Sequence, residues 1–147
     1  MHPEPGSCEY WQSKVDSTLR ASTKTMDVDE TNPVTIMFAI ECLLQMEGNK
    51  HPAAFSGAIS LTVSDTFENT TADVAALYYI SYLYYQKYDH ADAVALRAPG
   101  GLINTPNVIH DAYQAYKKWF AEVKRLGLTR AREMKLEPLK GTNVRWY

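Results

Sequence analysis

Apolar residues recur along most of this chain three or four positions apart, and helix-capping residues mark the breaks between the stripes. Ile36, Ile40, Leu43 and Leu44 fall on one face, widened by Met37, Phe38 and Met46. Asn32 is a good N-cap before them, Pro33 suits the first turn and Gly48 suits a left-handed residue past the end. The pattern predicts a helix over 33–47. A longer stripe, Ile109, Tyr113, Tyr116, Phe120 and Val123, is flanked by Ala112, Trp119 and Leu126. Thr105-Pro106 opens it and Gly127 closes it, after Lys124 and Arg125, whose charges suit a carboxyl end. That predicts a helix over 106–126. Thr129 then caps a short helix over 130–135. Near the start, Trp11, Val15 and Leu19 give a thinner stripe, read as a helix over 10–22 after an extended arm at 1–9.

Six of the ten tyrosines lie between Tyr78 and Tyr88, in a stretch that is apolar almost all round the helical wheel. Leu77, Ile80, Tyr84 and Tyr88 cover one side, Tyr78, Tyr82 and Tyr85 another, and Tyr79 and Leu83 fill much of the rest. A helix apolar on every side is surrounded by others. Thr70 with Asp73 resembles a capping box at its start. Asp89 with Asp92 looks like a second start, so the helix breaks near Tyr88 and restarts through Leu96. Residues 98–101, Ala-Pro-Gly-Gly, then read as a loop. The segment 49–69 is irregular: residues 58–64 alternate weakly, but they have no strand partner in a helical chain. Trp146, near the carboxyl end, is expected to dock on the body. These elements predict an all-α fold, a bundle of five or six helices around the tyrosine-rich one. They make a single domain over 1–147 with the segment 138–147 folded onto it.

Composition changes this picture little. A chain of 147 residues, 46% hydrophobic and 22% charged, is an ordinary globular domain able to bury roughly two-thirds of its unfolded surface. Its apolar runs fall short of the roughly 20 residues a membrane span needs, so membrane insertion is not expected. The net charge of −2 gives no reason to expect nucleic acid. Charge distribution is more telling. From Lys117 onward there are nine Lys or Arg against three Glu, leaving six basic and fourteen acidic residues before it. Either the basic region folds back on the acidic body, or it presents a surface that steers a charged partner. The amino terminus shows no signal peptide, which fits a cytoplasmic protein by default and equally an exported mature segment. Cys42, on an apolar helix, reads as a buried free thiol; a Cys8–Cys42 disulfide is the alternative and would point to an oxidising compartment.

Candidate chemistry is sparse. Asp89, His90 and Asp92 form the most enzyme-like cluster, and His110 beside Asp111 could join it from another helix. Adjacent helical positions point apart, however, and metal-ligand spacings such as HExxH or CxxC are absent. No catalytic residue, metal or cofactor is therefore assigned. Phenol hydroxyls need hydrogen-bond partners when buried, so some of Tyr78, Tyr79, Tyr82, Tyr85 and Tyr88 should reach a surface, with His90 nearby. These are the candidate binding residues. The expected function is a non-enzymatic module that recognises another protein through an aromatic or charged surface, such as an immunity or inhibitor protein. A homo-oligomer is left open. The alternative is a small metal-dependent hydrolase using His90 with Asp89 or Asp92, and His110.

Overall fold

The computed structural model describes residues 8–19, 29–53, 70–87 and 95–146. Among them, two helices start at side-chain caps. At α2 (Pro33–Leu44) the Asn32 side chain accepts from the backbone N–H of Val34 and Thr35. At α4 (Pro106–Leu126) Thr105 accepts from Val108 N–H, and the predicted boundaries of this helix hold at both ends. α1 covers Cys8–Ser13, α3 covers Ala72–Tyr85 and α5 covers Leu128–Glu133. α2 ends at Leu44 and a turn carries the chain on to Gly48. α1 begins earlier than the stripe suggests and stops at Ser13, short of residue 22.

α3 runs through the core as its composition demands. Ala72 to Ser81, Leu83 and Tyr84 are all buried, packed among α2, α4 and α5. Burying a single Leu or Ile here stabilises the fold by roughly 1.5–3 kcal/mol. Its first N–H groups find partners in a neighbouring loop rather than in a capping side chain. Ala72 N–H donates to His51 C=O (2.8 Å) and Asp73 N–H to Asn49 C=O (3.1 Å). Thr71, not Thr70, is the N-cap, and its hydroxyl donates to the Asp73 carboxylate. At the other end Gln86 turns left-handed, and Arg132 of α5 donates to the exposed carbonyls of Tyr84 (2.8 Å) and Leu83 (3.1 Å).

The all-α expectation is corrected by a small sheet. β1 (Leu96–Ala98), β2 (Leu102–Ile103) and β3 (Arg145–Trp146) form an antiparallel sheet in the order β2-β1-β3. The helix expected to run through Leu96 gives way there to a strand. Gly100 and Gly101 have φ of 90° and 77°, which reverses the chain tightly. Asn104 closes the hairpin by exchanging two hydrogen bonds of 2.8 Å with the Leu96 backbone, one through its side chain. The fold is helix-dominated with this sheet at one end. Residues 88–94 and 54–69 lie outside the described residues, and with them the predicted break at Asp89 and most of the irregular segment.

The free-thiol reading of Cys42 is also corrected. α1 packs on α2 with the Cα atoms of Cys8 and Cys42 4.9 Å apart, and the two form a disulfide.

Candidate functional site

Of the predicted binding residues, Tyr78 and Tyr79 lie in the core and Tyr82 is half-buried. Tyr85 alone of those described is exposed, at 37%. Tyr88, Asp89, His90 and Asp92 lie outside the described residues. His110 is described: its Nδ1 sits 2.9 Å from Glu47, which also takes Lys117 Nζ at 2.7 Å, on the exposed side of α4. Among the described residues no group of three or more His, Cys, Asp or Glu could hold a metal. No helix among them is long and apolar enough to cross a membrane.

Tyr85 stands on the rim of a groove of about 770 Å³. The floor is aromatic and polar. Tyr116 of α4 is fully buried, and its hydroxyl meets Ser81 Oγ at 2.6 Å and accepts from Trp146 Nε1 at 2.8 Å. Burial pushes the Tyr116 phenol well above its usual range, so it stays neutral and can hold both contacts at once. Trp146 is half-buried and stands edge-on to Tyr78, with ring centroids 5.5 Å apart. The β3 strand is thus held by its indole as much as by its ladder. The walls are cationic: Lys87, Arg97, Lys140 and Arg145 line the groove against one carboxylate, Glu137. Burial, then the Glu137 charge, pushes the Tyr85 phenol up to about 12. It therefore remains a hydrogen-bond donor across the physiological range.

Register places two of these cations side by side. Arg97 and Arg145 are direct partners across the β1–β3 ladder, with Ile103 directly opposite Arg97 on β2. Directly opposed residues share a face, and the neighbouring pair, Leu96 with Trp146, takes the inner one. Arg145 Nη1 donates to the carbonyls of Leu139, Thr142 and Val144. Among the described residues its Nε and Nη2 make no hydrogen bond, and the Arg97 guanidinium makes none at all. A second recess of about 420 Å³ opens on the other side of the pair, towards the 99–103 turn.

A separate polar knot ties the segments 16–18 and 49–51 together. Asp16 is 1% exposed and takes His51 Nδ1 at 2.9 Å, Asn49 Nδ2 at 2.8 Å and the Thr18 hydroxyl at 2.7 Å. Burial alone would raise the Asp16 carboxyl. The hydrogen bonds from His51, Thr18 and Asn49 outweigh it and hold the group at about 2. Next to it Asp73, also buried, pairs with Lys50 at 2.7 Å. The arrangement resembles the carboxylate–histidine part of a catalytic constellation, but the hydroxyl beside His51, that of Thr18 at 3.0 Å from Nδ1, donates to the Asp16 carboxylate. His51 falls in the segment that the sequence pattern leaves irregular. Asp16 lies 35 positions away, and no local spacing links them.

No known protein family, characterised protein or solved structure matches the chain.

Proposed function

We propose that this chain is a non-enzymatic binding module that recognises another protein through the groove between the end of α3, β1 and the carboxyl-terminal segment. The observation that carries this reading is the composition of the groove. It combines an exposed tyrosine and a half-buried tryptophan with four cations and one anion. Tyrosine, tryptophan and arginine are the side chains that dominate protein–protein hot spots, because they bury large areas at small entropic cost. An immunity or inhibitor protein is one concrete form, supported by the chain's size, its helical class and the basic bias from Lys117 onward. The Cys8–Cys42 bond supports an oxidising compartment for whichever partner is met.

Affinity capture from the source cell tests the reading with the wild-type chain, Tyr85→Ala, Lys140→Glu and a control, Glu122→Gln, on an exposed turn of α4. A specific partner should be retained by wild type and control and lost, by about tenfold or more in affinity, from both groove variants. A partner held equally by all four chains would refute the assignment to this groove.

A further inference from the structure

Two arginines directly opposed on a short ladder are an unfavourable choice for stability alone. Like charges at directly opposed positions destabilise a sheet, and Arg97 and Arg145 occupy one such pair on the outer face. Neither is neutralised by a carboxylate among the described residues. Glu137 lines the same groove but makes no ion pair with them. Arg145 is held in place by three carbonyls on Nη1 alone. That leaves the Nε–Nη2 edge, the fork that takes a carboxylate through two parallel hydrogen bonds, without a hydrogen bond among the described residues. Guanidinium groups so placed are set for an oxyanion arriving between them.

The surroundings indicate what carries it. The arginine pair is the ridge between the 770 Å³ groove and the 420 Å³ recess, so a ligand over the pair can extend both ways. On the recess side Ile103 and Leu102 are large apolar side chains, 39% and 46% exposed. Strands stand about 4.8 Å apart, so Ile103, Arg97 and Arg145 form a row about 10 Å long, apolar at one end and doubly cationic at the other. A free small anion would use the charge and leave the apolar end and both recesses empty. An extended peptide with acidic and apolar residues in succession uses all of it.

Building on the protein-binding reading above, we propose that Arg97 and Arg145 form a carboxylate seat for an acidic segment of the partner, with Ile103, on the same face, taking an apolar neighbour. The seat is kept at some cost to the sheet, and that cost gives the test two readouts of opposite sign. R97E turns the opposed pair into an attractive one, so the variant should melt about 2 °C or more above wild type while losing the ligand. The probe is a short synthetic peptide alternating glutamate and leucine, with a glutamine–leucine peptide as its neutral counterpart. Tryptophan emission reports occupancy, with Trp146→Phe identifying the source of the signal.

Wild type should bind the acidic peptide saturably and at least tenfold more tightly than the neutral one. R97E should lose that preference while melting higher, and added salt should weaken the acidic peptide selectively. Equal binding of the two peptides, no binding of either, or undiminished binding by R97E would overturn the proposal. So would phosphate raising the melting temperature of wild type, but not of R97E, while the acidic peptide fails to bind; the seat would then serve a free anion. The two readings fail separately. A partner lost from Tyr85→Ala and Lys140→Glu but kept by R97E leaves the binding module standing and removes only the seat.

Discussion

Asp16 shows how much one buried carboxylate can organise. It receives hydrogen bonds from His51, Asn49 and Thr18, so a single side chain holds residues 49–51 against the end of the first helical segment. Those same residues supply the carbonyls that begin α3. Its carboxyl titrates at about 2 in the folded chain against an ordinary value of 3.8. A depressed carboxyl contributes stability that is present above the unfolded value and is lost as pH falls through the folded one. The expected contribution is about 2 kcal/mol, disappearing between pH ~4 and pH ~2. Asp16→Asn should cost about 1–3 kcal/mol at neutral pH, measured by denaturant unfolding, and should flatten the acid limb of the stability profile. An unchanged acid limb would show that other carboxylates govern it.

At the scale of elements, legibility followed distance along the chain. Asn32-Pro33 and Thr105-Pro106 announce α2 and α4 because a cap acts on the N–H groups two or three residues on. The all-round apolar wheel of α3 likewise predicts its burial. The sheet was not legible. β3 is two residues long and pairs with a strand some 50 positions earlier, too short to show a period and too far to show a partner. The arginine seat was hidden for the same reason. The basic bias after Lys117 is visible in the sequence, but which two cations meet depends on a register that only the fold sets. The disulfide, across 34 positions, was an open choice until α1 was seen to pack on α2.

That disulfide carries the prediction proper to this scale. Closing a loop of this size removes unfolded-state entropy corresponding to about 3–4 kcal/mol in the chain-entropy account. Reduction, or Cys8→Ser with Cys42→Ala, should lower the melting temperature by about 10 °C. Protein taken from its native compartment should show no titratable thiol before reduction. Two thiols there would contradict both the bond and the oxidising environment.

For the molecule as a whole, the carboxyl-terminal segment closes the groove as well as the core. Trp146 reaches Tyr116 and Tyr78, which belong to two different helices, while its neighbour Arg145 completes the cationic wall. Trp146→Ala should cost about 2–3 kcal/mol and should also weaken partner binding, since the strand that carries Arg145 loses its anchor. A melting curve and a binding titration on the same sample check this. Lost stability with full affinity would place the partner elsewhere on the surface.

The pairing of residues 96–97 with 145–146 also fixes an order of events during synthesis. The helices can begin to assemble while the chain is still emerging from the ribosome, but β1 has no partner on its inner edge until Trp146 has followed it out. Contacts this distant form late, after the intervening loop has been closed. A nascent chain would therefore carry a nearly finished core before the groove lined by Arg97 and Arg145 exists. On the binding reading proposed above, partner capture would wait until this strand is in place.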